Sequence, residues 1–407
     1  MKMFSKKAVT KMVAMIIITI VIVAAVISIS YYLTLPTSPE EIKIGAVYPL
    51  TGPSALVGQD CKRGFDMAAE EINAAGGVLG KNIRIIEGDD ESKPEKAASE
   101  TERLITKEKV VMLAGQYHSS CAMASIEISH NYMIPDVIAS AASLSVREKQ
   151  YSNVFCVNTN TTSYATFKSQ FTIEALKSNA YAIMTEETDY GRDVADSLEG
   201  YMNENSDAKL VYRGSAKVGE TDYYPMLTMV NDAEPDTLIL LLSGMGVPLA
   251  YKQAREIGIP AAIHGAIYAL QDFIDVVGSE MSEYYFATLN YGHVEYSPKS
   301  NAFWDAFVEK YERDPSYLCA RAYDAVYIAC DAIKRAESVE ADKIIGALKE
   351  TNFVGVRGTV FFDPVHQQWP NETYLMCQIQ GGQAVIVYPF NLAEKEMLTQ
   401  PWVSEAS

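Results

Sequence analysis

The chain has 407 residues, of which 48% are hydrophobic and 21% charged, and its formal net charge at pH 7 is −18. These proportions are those of folded globular proteins and exclude wholesale disorder, and the length suits about two domains of roughly 100–200 residues each. A surface this acidic repels phosphate polymers, because binding to nucleic acids depends on neutralisation by cationic side chains. We therefore expect no nucleic acid among the partners.

The N-terminal 33 residues predict a membrane anchor. No residue from Met12 to Leu33 is charged, and a helix of this length would span a hydrocarbon layer of about 30 Å. The lysines of this region all precede it, which by the positive-inside rule keeps the N-terminus in the cytoplasm and exports the remainder of the chain. A cleaved signal peptide is the alternative, although its apolar part would normally be about 7–15 residues long. Residues 34–41, with two prolines, predict a short tether.

Beyond the tether, short apolar runs alternate with amphipathic stretches, which is typical of strand–helix–strand units around a parallel sheet. In chain order, the predicted strands are Ile42–Pro49, Ile83–Glu87, Val110–Ala114, Ile134–Ala139, Ala180–Thr185, Leu210–Tyr212, Thr237–Leu242, Ile263–Gly265, Gly358–Phe362, Tyr374–Gln380 and Ala384–Tyr388. The predicted helices are Gly64–Ala74, Lys93–Glu108, Arg192–Asn203, Tyr223–Val230, Met245–Glu256, Tyr317–Lys334 and Ala341–Leu348.

Two consecutive runs of this kind predict an α/β fold with two doubly wound (Rossmann-like) lobes. Each lobe would have a ligand-binding crevice beyond the carboxyl ends of its strands. The polar run at 158–163 (NTNTTS) lacks helix formers, so we expect it to be a crossover between the lobes. The six cysteines include no C-x-x-C pair, and no specific disulfide is predicted.

Several segments together carry a family resemblance. TGP at 51–53, EINAAGGVLG at 71–80 and DD at 89–90 are followed by LAGQYHSS, IPDVIASAAS, IMTEETDYGRD, YKQAREIGIP and GVRGTVFFDP. The chain from Glu41 to about Tyr388 resembles the type I solute-binding proteins of the leucine, isoleucine, valine and amide group. The resemblance implies two lobes joined by three hinge strands, which close on a ligand and deliver it to the membrane permease of an ATP-driven (ABC) importer, without catalysis.

The resemblance also implies a division of the chain and a class of ligand. The expected parts are a cytoplasmic stub with anchor or signal (1–33), the tether (34–41), a first lobe (42–158), a second lobe (159–287), the first lobe continued (288–372), and the second lobe continued with a C-terminal tail (373–407). The expected ligand is a small carboxylate- or amide-bearing molecule similar to a branched-chain or neutral amino acid. We expect the protein to be a monomer, anchored in the cell membrane with its binding domain extracellular or periplasmic.

In this family, hydroxyls and backbone N–H groups after the third and fourth strands bind the carboxylate of the ligand. The corresponding residues here are Ser119, Ala141 and Ser143, and helix capping is the alternative role for the two serines. Tyr190 matches a second-lobe tyrosine that closes over the ligand, with plain packing as its alternative. Looser candidates for the walls of the site are Tyr117, Tyr164, Tyr268, Tyr291 and Tyr323.

The sequence departs from the family where an acid would meet the ammonium group of an amino acid. The resemblance places Ile267 there, and burial of an unpaired ammonium would cost several kcal/mol. Either the ligand lacks an ammonium or another acid substitutes, such as Glu186, Glu187 or Asp189, for which a solvated acidic turn is the alternative. His118 replaces a cysteine that forms a disulfide in some relatives, and we expect it either to face the ligand or to be structural.

Motifs of enzymes are not found in the sequence. The chain contains no G-x-S-x-G, G-x-x-x-x-G-K-[ST] or G-x-G-x-x-G segment, and its histidines lack close metal-ligand spacing. We therefore predict no catalytic residue, metal or cofactor. A sensor of the same fold that acts through a partner protein is the main alternative function, and an exported hydrolase is a remote one.

Overall fold

The computed structural model describes residues 19–24, 41–289, 295–370 and 372–402 of the chain. The chain falls into two units, Met1–Glu41 and Ile42–Ser407. In the first unit residues 19–24 are helical, and the rest of the predicted anchor and residues 34–40 of the tether lie outside the described residues. Where the structure describes the chain, no helix combines the length and the apolar character needed to cross a membrane.

The second unit begins with a parallel sheet of five strands in the order β2-β1-β3-β4-β5. The strands are β1 (Ile42–Tyr48), β2 (Ile83–Asp89), β3 (Met112–Gly115), β4 (Asp136–Ile138) and β5 (Val154–Cys156). The helices between them are α1 (Ala55–Ala74), α2 (Pro94–Arg103), α3 (Ser119–Asn131) and α4 (Leu144–Glu148), and Leu104–Glu108 prolongs α2 as a π-helical turn. Strand β1 is buried along nearly its whole length, as expected for a strand with helices on both faces of its sheet.

A second parallel sheet follows. Its strands are β6 (Ala180–Glu186), β7 (Lys209–Ala216), β8 (Thr237–Leu241), β9 (Ala262–Ala266) and β10 (Phe286–Leu289). The helices of this part are α5 (Thr161–Gln170), α6 (Asp189–Asn205), α7 (Tyr224–Asp232), α8 (Gly246–Ile257), α9 (Leu270–Val277) and α10 (Ser279–Ser282), with a π-helical turn at Phe171–Ala175 after α5. All of β8 (TLILL) is buried, whereas β7 alternates between more and less exposed residues, because β8 lies inside the sheet and β7 at its edge.

The chain then returns to the first sheet with three helices. These are α11 (Ser300–Tyr311), α12 (Tyr317–Ala336) and α13 (Ala341–Lys349), followed by the hairpin of β11 (Asn352–Gly355) and β12 (Gly358–Phe361). Their apolar side chains share one core with those of β1 and α1. Helices α1 and α12 pack so closely that a side-chain carbon on Gly64 would lie 2.2 Å from the carbonyl oxygen of Cys319.

The last two strands complete the second sheet. Strands β13 (Leu375–Gln380) and β14 (Gln383–Tyr388) add to β10 in antiparallel fashion, and the final order is β14-β13-β10-β9-β8-β6-β7. We call the five-stranded sheet with α1–α4 and α11–α13 the first lobe, and the seven-stranded sheet with α5–α10 the second lobe. The chain passes between these lobes between β5 and α5, between β10 and α11, and between β12 and β13.

The predicted strands are all present within a few residues of their predicted positions, and the helices in the predicted list are confirmed with shifted ends. We expected all of 158–163 to be a polar crossover without a helix. This is wrong for 161–163, because α5 begins at Thr161. Asn160 caps this helix, accepting a hydrogen bond from the backbone N–H of Ser163 at 3.1 Å. Short polar residues that are poor helix formers are good caps, which is why the composition was misleading.

Candidate functional site

A cavity of about 70 Å³ lies between the two lobes, at the carboxyl ends of strands from both sheets. Its lining residues are Tyr117, His118, Ser119, Ser140, Ala142, Thr159, Tyr164, Glu186, Thr188, Tyr190, Leu240, Leu241, Leu242, Ser243, Ala266, Tyr268, Tyr317, Arg321 and Tyr374. This is the position in which doubly wound sheets bind ligands, because loops from several parallel strands meet there. The cavity therefore lies at the predicted crevice.

Ser119 is the first residue of α3, directly after the loop that follows β3. Its Oγ accepts hydrogen bonds from the backbone N–H groups of Ala142 at 3.3 Å and Ser143 at 3.1 Å. Both bonds use lone pairs of the hydroxyl, so its proton stays available to an acceptor in the cavity. Ser119 also begins a helix, whose first N–H groups have no partner inside the helix. The two features together suit a ligand that carries a carboxylate.

The loop after β4 reaches the cavity through Ser140 and Ala142, and not through the predicted Ala141 and Ser143. The side chain of Arg147 holds this loop from behind, donating to the carbonyl oxygens of Ala141 at 2.7 Å and of Ser143 at 3.1 Å. Ser143 caps α4, accepting a hydrogen bond from the backbone N–H of Ser145 at 3.2 Å. The capping role, which was the alternative for this serine, is the one that its geometry shows.

His118 lines the cavity and is also held by the protein. Its Nε2 lies 2.9 Å from the Oγ of Ser54, and its ring packs against Tyr117 with 4.6 Å between the ring centroids. Burial lowers the pKa of His118 to about 4, so the imidazole is neutral near pH 7. His118 therefore contributes no positive charge to the cavity.

Glu186 is the last residue of β6, is 3% exposed and lines the cavity. One of its oxygens, Oε1, accepts hydrogen bonds from both the backbone N–H and the hydroxyl of Ser243, each at 2.6 Å. Burial raises the pKa of Glu186, and the bonds from Ser243 partly oppose this effect. The other two candidate acids do not line the cavity, because Glu187 points to solvent and Asp189 pairs with Arg192 on α6.

Ile267 lies beside the cavity but does not line it. Its side chain is 3% exposed and belongs to the apolar core of the second lobe, while the neighbouring Ala266 reaches the cavity wall. Successive residues of an extended segment point to opposite sides, which is why Ala266 and Tyr268 face inward and Ile267 does not. Glu186 is thus the carboxylate that the described residues contribute to the lining of the cavity.

Four of the predicted tyrosines line the cavity: Tyr117, Tyr164, Tyr190 and Tyr268. The hydroxyls of Tyr117 in the first lobe and Tyr268 in the second lie 2.6 Å apart, so this pair connects the lobes. Tyr268 Oη also accepts a hydrogen bond from the backbone N–H of Gly244 at 3.0 Å. The enclosed surroundings raise the pKa values of Tyr190 and Tyr268, which keeps both phenols protonated.

The other two tyrosine candidates have different outcomes. Tyr323 is wrong as a wall residue, because it lies in the core of the first lobe, where its hydroxyl donates to Glu71. Tyr291 lies outside the described residues.

Three large residues of the lining, Tyr317, Arg321 and Tyr374, were not predicted from the sequence. Tyr317 stacks on Tyr268, with ring centroids 5.9 Å apart, and the guanidinium of Arg321 lies 4.9 Å from the centroid of the Tyr317 ring. Arg321 also donates from Nη2 to both carboxylate oxygens of Glu372 at 2.8 Å, and the same carboxylate accepts a hydrogen bond from Arg357, which pairs in addition with Asp324. Arg321 is a charged residue in the largely apolar first turns of α12, and this was a signal in the sequence for this part of the site.

Comparison with known proteins agrees with this geometry. The model of the periplasmic binding protein family matches residues 41–383. Leu/Ile/Val-binding protein homolog 7 of Brucella abortus is 27% identical over 379 residues, which cover 88% of this chain and 94% of the homolog. The leucine-, isoleucine-, valine-, threonine- and alanine-binding protein of Pseudomonas aeruginosa is 24% identical over 339 residues, covering 83% of this chain and 90% of that protein.

Solved structures share the fold. The branched-chain amino acid transporter substrate-binding protein LivJ of Streptococcus pneumoniae, in complex with isoleucine, superposes with a TM-score of 0.78 at 26% identity, covering 86% of this chain and all of that one. A solute-binding protein of an ABC transporter from R. palustris, in complex with benzoate, has a TM-score of 0.77 at 20% identity, covering 89% and 99%. Because the family model spans most of the chain, this protein belongs to the periplasmic binding protein family and is a type I solute-binding protein of the leucine/isoleucine/valine group, not an enzyme.

Proposed function

We propose that this protein is the extracytoplasmic receptor of an ABC importer and that its ligand is a small neutral α-amino acid, similar to the branched-chain amino acids. The observation that carries this proposal is the chemistry of the cavity. A hydroxyl donor at the start of a helix, Ser119, and a buried carboxylate, Glu186, line the same enclosed space. A ligand with both a carboxylate and an ammonium group satisfies both.

The first lobe supplies groups for the carboxylate. The hydroxyl proton of Ser119 is free to donate, and the backbone N–H groups at the start of α3 form a site of positive potential. Each hydrogen bond to a charged group contributes roughly 1.5–3 kcal/mol, which corresponds to about 10- to 150-fold in affinity. The neighbouring Arg321 shares Glu372 with Arg357, which also pairs with Asp324, so its guanidinium is held by buried acids and is not left unpaired.

The second lobe supplies a group for the ammonium. Glu186 keeps Oε1 for Ser243, which leaves Oε2 for a ligand. A buried carboxylate without a counter-charge is costly, and an ammonium at this position would remove the cost. An acid at the end of β6 would thus perform the role that the family resemblance placed at position 267. Benzoate and other acids without an ammonium would leave Glu186 unpaired, so we favour an amino acid over an aromatic acid.

The remaining lining explains why we expect an apolar side chain on the ligand. The tyrosine rings present apolar surface to the cavity, whereas the side chains of Leu240, Leu241 and Leu242 pack into the cores of the second lobe. The names of the relatives from Brucella and Pseudomonas also refer to leucine, isoleucine and valine. These names support the ligand class without identifying one amino acid.

The proposed cellular role also includes membrane anchoring and delivery of the ligand, which were predicted from the sequence. We propose that residues 12–33 anchor the protein in the cell membrane as an uncleaved helix, that 34–41 tether it, and that the permease of the importer receives the ligand. The two lobes, with the boundaries predicted above except that β10 assigns 288–289 to the second lobe, would close on the ligand as a hinge, with ligand binding selecting the closed form of a monomer.

Calorimetric titration with matched probes tests the proposed ligand class. We expect L-leucine, L-isoleucine or L-valine to bind, 4-methylpentanoate (leucine without its ammonium) and L-leucinamide (no carboxylate) to bind at least tenfold more weakly, and benzoate to bind weakly or not at all. Glu186→Gln should weaken amino acid binding about 10- to 100-fold and leave 4-methylpentanoate binding unchanged or tighter. Glu187→Gln, at the exposed neighbouring position, is the control.

Two results would contradict the proposal. If benzoate binds and no amino acid does, the ligand is an acid without an ammonium. If Glu186→Gln and Ser119→Ala both leave amino acid affinity within twofold of the wild type, the assigned groups do not contact the ligand.

A further inference from the structure

Ser140 combines burial with an unsatisfied hydroxyl. It follows β4 by two residues, is 7% exposed, and its Oγ has no hydrogen-bond partner among the described residues. The backbone of Ser140 is nevertheless firmly held, because its N–H donates to the carbonyl of Gln116 at 3.2 Å and its carbonyl accepts from Asn158 Nδ2 at 2.9 Å. A buried hydroxyl without a partner is unfavourable, so its presence at the cavity wall indicates a partner that arrives with the ligand.

Ser143, the serine that the family resemblance assigned to the ligand, is fully engaged within the protein. It is completely buried, its Oγ accepts from the backbone N–H of Ser145, and the same hydroxyl donates to the carboxylate of Asp193 on α6. The backbone N–H of Leu144 donates to the same carboxylate at 2.9 Å. Asp193 therefore occupies the groups that would otherwise be free for the carboxylate of a ligand.

We propose that Ser140, and not Ser143, is the residue of the β4–α4 loop whose hydroxyl binds the carboxylate of the ligand, together with Ser119. This assignment rests on the proposed function, since it requires a ligand with a carboxylate. Ser119 and Ser140 come from the ends of neighbouring strands, β3 and β4, and both line the cavity. Two hydroxyl donors from adjacent loops would share the two oxygens of one carboxylate.

Ser140→Ala and Ser143→Ala in the full chain form a matched pair for the test. Without any ligand, Ser140→Ala should melt at the same temperature as the wild type or higher, because it removes an unsatisfied buried hydroxyl. Ser143→Ala should melt at a lower temperature, because it loses the helix cap and the contact with Asp193. With L-leucine as the probe, Ser140→Ala should raise Kd about tenfold or more, and with L-leucinamide the increase should be clearly smaller.

The outcomes separate this proposal from the proposed function. If the wild type binds L-leucine and Ser140→Ala binds it within twofold, Ser140 does not contact the ligand and the proposal is overturned. If Ser140→Ala lowers the melting temperature of the unliganded protein as much as Ser143→Ala, its hydroxyl has a structural partner and the proposal is equally overturned.

Absence of binding by the wild type to any amino acid tested would refute the proposed function instead. Benzoate, a carboxylate without an ammonium, then replaces L-leucine as the probe for the same pair of variants. Weaker benzoate binding by Ser140→Ala supports the assignment of Ser140, and unchanged binding overturns it. If benzoate does not bind either, the melting temperatures of the unliganded variants decide the assignment. Melting of Ser140→Ala at or above the temperature of the wild type supports it, and melting as low as that of Ser143→Ala overturns it.

Discussion

Asp193 connects the two lobes at a place that does not line the cavity. It belongs to α6 of the second lobe, and its carboxylate accepts hydrogen bonds from the backbone N–H of Leu144, at 2.9 Å, and from the hydroxyl of Ser143 in the first lobe. A second contact nearby joins α6 to α3 of the first lobe, since the N–H of Asp189 donates to Ser120 Oγ at 3.3 Å. In the proposed hinge motion these bonds break when the lobes separate, so they would stabilise the closed form alone.

The expected effect of Asp193→Asn follows from these contacts. Hydrogen bonds to charged groups contribute roughly 1.5–3 kcal/mol, and because Asp193 is half-buried we take about 1–2 kcal/mol for the lost charge. If the ligand binds the closed form and the unliganded protein is mostly open, this loss appears directly in the affinity. We therefore expect Kd for L-leucine to rise about 5- to 30-fold, without any change in direct contacts to the ligand.

Isothermal titration with L-leucine measures this effect, and small-angle X-ray scattering at half-saturating L-leucine follows the closed fraction. Asp196→Asn is a suitable control, because Asp196 lies on the same helix but is 66% exposed and pairs with Arg213 inside the second lobe. Relative affinities for leucine, isoleucine and valine should stay as in the wild type. The reasoning is refuted if Asp193→Asn binds L-leucine within twofold of the wild type, or if Asp196→Asn has the same effect.

Three further predictions concern titratable groups. The pKa of Glu186 is raised in the unliganded protein, so affinity for an amino acid should fall as the pH drops through that pKa, and titrations of Glu186→Gln should show a flatter profile. Protonation of His118, whose pKa is lowered to about 4, favours unfolding between pH 6.5 and 4 by up to about 3 kcal/mol. Thermal melts of His118→Asn should accordingly show a smaller loss of stability on acidification than those of the wild type. Glu372→Gln should lower the free energy of unfolding by about 3–5 kcal/mol in urea titrations, because Arg321 and Arg357 lose the buried counter-charge that they share. A loss below about 1 kcal/mol would show that water replaces the carboxylate.

The strands were the most predictable part of the fold. Buried parallel strands such as β8 are continuous apolar runs, and the residues that end them, such as Glu186, can be located in the sequence. Helix α5 was missed because its first residues resemble a loop, and α11 was missed because no strong signal marks its start at Ser300. The sequence therefore predicted the strands of the sheets more accurately than the ends of the helices.

The candidate site was predictable only where it follows strand ends. Ser119, Tyr190 and Glu186 lie at such ends, and the structure brings them to one cavity. Tyr317 and Tyr374 were missed because they come from distant segments that return to the cleft after the chain has crossed between the lobes.

The sequence by itself determined the two α/β lobes, the acidic surface and the family, because periodic burial and short motifs are local properties of the chain. Only the tertiary structure decided which side chain of each loop faces the cavity. Within one loop Ser140 faces inward while Ser143 turns to Asp193, and this choice depends on Arg147 behind the loop and α6 across the cleft. The packing of the lobes determines contacts between residues 50 positions apart, such as Ser143 and Asp193. A local sequence pattern therefore cannot predict them.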